Sequence, residues 1–381
     1  MTAIAFPPPP PCPQAETLRL EVRDFLAAEL AGRTPRQRAE SWNGYDRDFS
    51  RKMGQRGWIG MTWPKRYGGH ERSALERYVV LEEMLAAGAP VNMHWIADRQ
   101  SGPLLLRAGT EAQRSAILPR IAAGECGFCI GMSEPDSGSD LASVRTRAAP
   151  VQGGFLVNGT KLWTSGAHLA DYMILFCRTG PGERHEGTSQ LLVDLKHTKG
   201  LSIRPVRALS GEHHFNEVVF TDAFLPEDAV IGQLGQGWQQ VTSELAYERS
   251  GPERFLSSFQ VVVELLRAAG PAPSERVAVA VGRLAAHMIA LRRMSRSVAG
   301  MLQQGGNPAL EAALVKEVGN TLEQEIPEIV RLLLEAEPEA DGADQLAAVL
   351  GHTMLHIPSF SLRGGTREVL RGMIARGLGL R

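Results

Sequence analysis

Cysteine, net charge and long apolar runs are all scarce in this sequence of 381 residues. The 4 cysteines are too few and too scattered for the disulfide framework of a secreted protein, which favours a reducing cytoplasm. Basic and acidic side chains nearly cancel, 41 against 42, so neither a nucleic-acid partner nor a polybasic membrane anchor is expected. No run approaches roughly 18 uninterrupted apolar residues, and no basic segment precedes an apolar one, so neither a membrane span nor an export signal is expected.

What the sequence does contain is helical periodicity at both ends and strand-like runs between them. Leu18, Val22 and Phe25 begin a helical stripe, and Thr110 is placed as the N-cap of a later helix. Short apolar runs with Gly, Pro and charged breaks follow, and they predict a compact antiparallel sheet. Within these runs, Asn158-Gly159 has the residue pair typical of a type I′ hairpin turn.

This order predicts an α+β fold that is mostly α. We expect a disordered proline-rich tail over residues 1–14 and an N-terminal helical domain over 15–125. A central antiparallel, β-barrel-like domain should cover 126–231, and a C-terminal helical bundle should cover 232–381.

The segment "MSEPDSGSD", residues 132 to 140, predicts an exposed polar turn. It offers several hydroxyls and carboxylates, and Gly138 allows a backbone amide to approach a ligand closely. Such a turn suits a phosphate or the edge of a heteroaromatic ring. An ordinary capped loop would have the same composition, so the turn alone does not decide between the two.

A second segment, "KLWTSGA", residues 161 to 167, favours the ligand-binding interpretation. Trp163 and Ser165 are two residues apart, so both would point to the same side of an extended strand. A flavin ring needs a flat apolar wall and hydrogen-bond donors at its edge, and Ser133 and Ser165 could supply the donors. A tryptophan that only packs in a core is the alternative for Trp163.

Two other patterns are interpreted as structural, and no metal site is expected. "CGFC", residues 126 to 129, has the spacing of half a zinc or redox site, but no second pair of cysteines exists, so packing is the simpler role. His213 and His214 lack a third ligand nearby in the sequence, which favours a pair that faces solvent.

With both motifs in view, the chain resembles the acyl-CoA dehydrogenase family over nearly its whole length. "MSEPDSGSD" and "KLWTSGA" are the most specific matches, and "FNEVVFTDAFLPEDAVIG" and "GGTREVLRGMIARGLGL" agree in order. The pattern is most similar to members with the catalytic Glu on the first helix after the β domain, such as the heterotetrameric steroid side-chain dehydrogenases.

The resemblance implies FAD between the sheet and the C-terminal bundle. The residues that it assigns to the cofactor are Ile130, Met132 and Ser133 lining the flavin, Trp163 shielding it, Ser165 bonding to it, Gly138 and Ser139 in the turn, and Thr366 near the diphosphate. Ser139 would also face the pantetheine part of the substrate.

The catalytic base is expected away from its commonest position in the family. Many members carry a Glu just before the C-terminal Gly-Thr, where this sequence has Gly364. A subset carries it immediately before an Arg on the first helix after the sheet, so the resemblance assigns Glu248 as the base and Arg249 to the acyl or pantetheine part of the substrate. A solvated helix carboxylate with neighbours such as Glu253 and Arg254 is the alternative for Glu248.

The implied reaction is the oxidation of an acyl-CoA to a 2,3-enoyl-CoA, in which Glu248 takes the α-proton and the β-hydride passes to flavin N5. Electron-transfer flavoprotein would be the acceptor, and Gly364 would leave room for a bulky or branched acyl group. The family's Arg-x-x-Phe-Gly and Gln-Gly-Gly adenosine motifs do not appear. The chain is therefore expected to form a dimer or tetramer, homo- or hetero-oligomeric, in which an unlike subunit could supply those contacts. An acyl-CoA oxidase-type flavoenzyme and a catalytically incompetent partner subunit are the alternatives.

Overall fold

Helices form the beginning and end of the chain, and strands form the middle. The computed structural model describes residues 4–340 and 342–380, with the side chains of all of these except residues 244–248. The helices before the strands are α1 (Pro13–Glu29), α2 (Pro35–Ala39), α3 (Arg47–Gln55), α4 (Ala74–Ala86), α5 (Asn92–Ile96), α6 (Gly102–Ala108) and α7 (Glu111–Ala122). The helices after them are α8 (Gly237–Glu248), α9 (Phe259–Ala269), α10 (Glu275–Gln303), α11 (Ala309–Leu334), α12 (Gln345–Phe360) and α13 (Arg367–Gly377).

Several helices begin at a capping box, in which the cap side chain and the third helical residue bond to each other's backbone amides. The cap residues of this kind are Thr34 for α2, Ser73 for α4 and Thr110 for α7. The predicted N-cap at Thr110 is therefore confirmed, and the side chain of Gln113 completes its box.

The strands form one curled, mixed sheet. They are β1 (Phe128–Gly131), β2 (Arg147–Val151), β3 (Gly154–Lys161), β4 (Tyr172–Arg178), β5 (Thr188–Asp194), β6 (Leu201–Arg207) and β7 (His213–Pro226). Strand β7 pairs antiparallel with both β3 and β6, and β5 pairs antiparallel with β4. Strand β1 lies parallel to β4, and the β2–β3 hairpin lies between them in the sequence. The predicted α+β, mostly α fold is confirmed, with the difference that the sheet is mixed and not wholly antiparallel.

Asn158 and Gly159 lie inside a strand and not in a hairpin turn, so that prediction is wrong. Strand β3 runs through both residues, and its register against β7 shifts at a bulge between Val157 and Gly159. The Asn158 amide Nδ2 donates to Asp222 Oδ1 at 2.8 Å, and Asn158 Oδ1 accepts from the Asp222 N–H at 2.9 Å. Asn and Gly tolerate left-handed backbone conformations, which both a β-bulge and a turn can require. Here the hydrogen bonds to β7 favour the bulge.

The chain divides into two compact units that do not follow the order of the sequence. One unit contains residues 1–45, 72–91 and 246–381, and the other contains 46–71 and 92–245. The helix α4 therefore belongs with the C-terminal helices, whereas α3 and the segment from α5 to α7 belong with the sheet. The boundaries predicted at 125/126 and 231/232 follow secondary-structure type and stay a prediction.

The proline-rich segment before α1 packs against helices at some of its described residues. Phe6 packs against Val298 of α10 and Val315 of α11. Pro9 lies so close to Gly300 that a Cβ added there would be 3.1 Å from the Pro9 Cβ. Phe6 and Pro9 are thus in contact with helices, and α1 begins at Pro13, whereas the sequence predicted a disordered tail over 1–14 from its run of prolines.

Among the described residues, no helix combines the length and the apolar composition needed to cross a bilayer.

Replacing Gly159 with Ala should destabilise the sheet. Gly159 has a φ of +146°, and an added Cβ would lie 2.5 Å from Thr146 Oγ1. We expect a loss of about 2–4 kcal/mol from backbone strain and steric overlap together, measured by urea unfolding. Gly153→Ala is the matched control, because Gly153 has a φ of +79° with no atom within 4 Å of the added Cβ. It should lose only about 1–2 kcal/mol, and equal losses in the two variants would contradict the overlap at Gly159.

Candidate active site

The polar turn after β1 is closed by its own hydrogen bonds. The Glu134 N–H donates to the Ser137 carbonyl at 2.7 Å, and the Ser137 N–H donates back at 3.2 Å. The Ser137 hydroxyl donates to the Asp140 carbonyl at 2.9 Å. Ser137 therefore stabilises the turn itself. Gly138 and Ser139 lie at its exposed tip, so their predicted contacts to a cofactor or thioester stay predictions.

A buried ion pair attaches this turn to strand β3. Lys161 has no exposed surface, and its Nζ donates to Glu134 Oε1 at 2.8 Å and to the Met132 carbonyl at 3.0 Å. The Glu134 carboxylate also accepts from the backbone amides of Arg145 at 2.7 Å and Thr146 at 2.9 Å. Burial alone would raise the pKa of Glu134, but the Lys161 ammonium and these donors hold the pKa below its usual value. The Glu134 carboxylate therefore bonds to groups of the protein itself and is not a ligand-binding group.

The turn and the segment after β3 also meet through their backbones. The Leu162 N–H donates to the Ser133 carbonyl at 2.9 Å, which sets half-buried Ser133 beside the residue that precedes Trp163. The two sequence motifs, about 30 residues apart in the chain, are thus brought together as predicted.

Trp163 has an unusual backbone conformation and an exposed ring. Its φ is +60°, a left-handed value that is rare for a bulky residue, and its side chain is 55% exposed. The indole packs edge-on against Phe215, with ring centroids 5.9 Å apart. Because β3 ends at Lys161, the predicted strand alternation of Trp163 and Ser165 is wrong. A turn, and not a strand, positions these two side chains.

Asn216 of β7 fixes the segment between Trp163 and Ser165. The buried Asn216 carbonyl accepts from the Thr164 N–H at 3.0 Å, and Asn216 Nδ2 donates to the Thr164 carbonyl at 2.9 Å. Ser165 is half-buried, and among the described residues no hydrogen bond to its hydroxyl is found. As far as the described residues show, the Ser165 hydroxyl is therefore available to bond to a ligand.

Ile130 and Met132 have different surroundings although both were assigned to the flavin. Ile130 is half-buried in β1, opposite Ile174 of β4. Met132 packs against the buried side chains of Val144 and Phe176. Both precede Ser133 closely in the sequence, but Met132 already has an apolar contact within the protein.

Sequence reasoning missed the two residues that hold this site together, Lys161 and Asn216. Each is polar and buried in a strand, and each bonds to backbone groups of a motif. The sequence did offer a signal for Lys161. It is a cation at the end of a predicted strand, and Glu134, an anion near the start of the polar turn, is a possible partner. Nothing in the sequence around Asn216 indicated its partner.

The CGFC cysteines are buried free thiols. Burial raises the pKa of Cys126 to about 12, and it raises the pKa of Cys129 as well. Thiols in this state are poor nucleophiles and poor metal ligands, which agrees with a packing role.

The predicted residues of the other unit meet at the loop before α13. Arg249 is 3% exposed; its Nε donates to the Gly364 carbonyl at 3.2 Å, and its Nη1 lies 3.1 Å from the sulfur of Met373. Thr366 is the N-cap of α13 and accepts from the Val369 N–H at 3.4 Å. The described contacts of Arg249 are thus to the protein, while its predicted contact to a substrate stays a prediction.

Glu248 is the last residue of α8, and its side chain lies outside the described residues. Its assignment as the base therefore stays a prediction.

Comparisons with known proteins agree with this fold and these motifs. The family models that match are the acyl-CoA dehydrogenase N-terminal domain, over residues 13–125, and the acyl-CoA dehydrogenase middle domain, over 129–223. The solved structure of the Tcur3481-Tcur3483 steroid ACAD is similar with a TM-score of 0.87 and 29% identity, covering 99% of this chain and 100% of its own. The ChsE4-ChsE5 complex from Mycobacterium tuberculosis has a TM-score of 0.85 and 31% identity, covering 97% and 98%.

The architecture and the two motifs thus define a dehydrogenase fold of the flavoprotein type. The acyl-CoA dehydrogenase FadE29 of Mycobacterium tuberculosis is 32% identical over 381 aligned positions, which cover 95% of this chain and 96% of that protein. The chain belongs to the acyl-CoA dehydrogenase family. Members of this family are oxidoreductases that act on acyl-CoA and bind FAD.

Breaking the buried ion pair should unfold the turn. Lys161→Met leaves the Glu134 carboxylate buried without its ammonium, and we expect a loss of about 3–5 kcal/mol, measured by urea unfolding. Asp136→Asn is the control on the same turn, because the ion pair of Asp136 with Arg145 is exposed at 2.9 Å and should contribute less than about 1 kcal/mol. A loss in Lys161→Met no larger than in the control would contradict the role of the buried pair.

Acidification should destabilise the loop after Trp163. The rings of His168 and His213 stack at 3.8 Å, and burial and the neighbouring His213 lower the pKa of His168 below its ordinary value. The unfolded chain then binds a proton more readily, so stability is full above about pH 6.5 and falls as the pH drops toward the folded pKa. The Tm measured from pH 8 to pH 5.5 should fall less in His168→Gln than in the unaltered protein. Parallel curves for the two proteins would show that His168 makes no such contribution.

Proposed function

We propose that this chain catalyses the FAD-dependent α,β-dehydrogenation of an acyl-CoA thioester to a 2,3-enoyl-CoA. The observation that carries the proposal is the Trp163 indole, 55% exposed at a left-handed backbone position beside the half-buried Ser133 and Ser165. A strained, exposed aromatic residue persists only where its surroundings fix it, and such positions cluster at functional sites.

The residues of this unit fit the flavin ring. The Trp163 indole offers a flat wall, and the hydroxyls of Ser133 and Ser165 offer donors for the polar edge of the ring. In the proposal, Ile130 and Met132 line the ring on the strand side. Gly138, Ser139 and Thr366 are assigned to the phosphate-bearing parts of the cofactor, and Ser139 also to the substrate.

Glu248 is the proposed base, with the α-proton of the thioester as its target. A carboxylate can remove this proton in a pocket without water when the thioester carbonyl is hydrogen-bonded. FAD, when bound, supplies the acceptor for the hydride that leaves the β-carbon.

Electron-transfer flavoprotein is the proposed acceptor of the electrons. The cytoplasm is the proposed location, supported by four free cysteines.

A bulky or branched acyl group is the proposed substrate class. Gly364 has no side chain where many family members carry a Glu, which leaves volume for a ring or a branch. Relatives with steroid ACAD structures support a fused-ring acyl group within this class.

An oligomer with a second subunit, identical or unlike, is part of the proposal. Helix α10 buries Val277, Leu284 and Leu291, one residue in each heptad, while Val279 and Ile289 are 48% and 68% exposed. Exposed apolar side chains on a helix suit packing against another subunit. The ChsE4-ChsE5 structure, named as a complex of two different proteins, supports the unlike arrangement.

A catalytically incompetent partner subunit is the second candidate, favoured by Gly364 and by "ERVAVAVGRLA" in place of the family's adenosine motif. The colour of the preparation separates the candidates: a yellow protein that bleaches with a CoA thioester without a partner supports the enzyme, and bleaching with a partner supports it only if Glu248→Gln in this chain abolishes the bleaching. Peroxide release under air during turnover would instead favour the acyl-CoA oxidase type.

Glu248→Gln should keep FAD but slow its bleaching. Without a carboxylate to take the α-proton, we expect the rate of flavin reduction to fall about 10²- to 10⁴-fold in anaerobic stopped-flow measurements. Glu244→Gln, one turn earlier on α8, is the matched control and should reduce its flavin at the original rate. A Glu248→Gln protein that reduces its flavin as fast as this control would refute the assignment.

A further inference from the structure

The segment Arg363–Thr366 carries no carboxylate, and charged side chains of other elements bond to it. Gly364 and Gly365 have φ values of +69° and +97°, which only glycine adopts without strain. This conformation exposes two successive carbonyl groups to buried cations of other elements.

One of these cations is Arg249 and the other is Lys316 of α11. Arg249 Nε donates to the Gly364 carbonyl at 3.2 Å, and Lys316 Nζ donates to the Gly365 carbonyl at 2.6 Å. Arg249 is 3% exposed and Lys316 is 0% exposed, so both bonds are shielded from water. Charged donors bond to carbonyls more strongly than neutral ones, and more so away from solvent.

The start of the loop is fixed independently. Arg363 Nη2 donates to Glu323 Oε2 at 3.0 Å and to the Ser257 hydroxyl at 2.7 Å. Its guanidinium stacks on the rings of Trp42 and Phe360, each centroid 4.5 Å away. The loop is therefore held in place by these contacts, and side chains that bond to its carbonyls are held with it.

Arg249 is the cation with a consequence for catalysis, because it immediately follows Glu248, the last residue of α8. A planar guanidinium that is held to a rigid loop limits the movement of the backbone one residue before it. Lys316 holds the same loop but lies on α11, so it does not constrain the end of α8.

We propose that Arg249 is a positioning residue: its bond to the Gly364 carbonyl fixes the end of helix α8, and with it the residue assigned as the base. This inference rests on the proposed function for the role of Glu248, but the tie itself can be tested without turnover. In this arrangement the bond of Arg249 depends on the left-handed φ of +69° at residue 364, a conformation that favours glycine. The role differs from the substrate contact that the sequence predicted for Arg249.

Amide hydrogen exchange on the full chain tests the tie directly. Arg249→Lys keeps the charge but loses the planar fork, and it should speed exchange about 10-fold or more in peptides that cover the end of α8 and the loop. Lys316→Met is the matched variant, and it should speed exchange in the loop peptides alone. Unchanged exchange at the end of α8 in Arg249→Lys would overturn the proposal, and so would equal changes there in both variants.

Flavin reduction tests the consequence, with the CoA thioester that reduces the unaltered protein fastest in a panel. Arg249→Lys should lower the saturating reduction rate about 10- to 100-fold while the Kd of the thioester changes by less than about two-fold. A raised Kd with an unchanged rate would indicate a substrate contact and overturn the positioning role. If the unaltered protein is reduced by no thioester, the proposed function fails, while the exchange measurement still decides whether Arg249 holds the end of α8.

Discussion

The bond between Lys161 and Glu134 is the interaction on which the candidate site depends. It connects the turn after β1 to the end of β3, and the same carboxylate accepts the amides of Arg145 and Thr146, where the chain enters β2. Since a buried charge without its partner is costly, these segments cannot separate one at a time. The hydrogen bonds of Leu162 and Asn216 then fix the backbone on both sides of Trp163 relative to these segments. An exposed indole in a left-handed conformation is tolerable because the chain on both sides of it is held.

The architecture could be read from the sequence because it follows from periodicity. Helical spacing, short apolar runs and the Thr110 cap predicted the order of helices, sheet and helices, which local preferences determine. The parallel pairing of β1 with β4 could not be predicted in this way, because it depends on which distant segment fills the space beside β4. The bulge at Gly159 was missed for a related reason, since a turn and a bulge require the same backbone freedom and only the β7 partner distinguishes them.

The candidate site was predicted through its conspicuous residues and not through those that support them. Ser133, Trp163 and Ser165 stand in motifs, and the structure brings them together, although by a turn where a strand was expected. Lys161 and Asn216 act through backbone carbonyls, which carry no sequence signature. Arg249 was assigned to the substrate from the sequence, but the partner that the structure gives its Nε is a glycine carbonyl, again a group that the sequence does not display.

The interleaved make-up of the two units has a consequence for how the chain is synthesised. Helices α1, α2 and α4 leave the ribosome early, but α9 to α13, with which they form one unit, are made only after residue 246. The early helices can pack on one another, but the apolar surface that contacts α9 to α13 must wait uncovered while the complete sheet is translated. Such long-range dependence slows folding and exposes surfaces that aggregate, so this unit is the part of the molecule for which chaperone binding during translation should matter most.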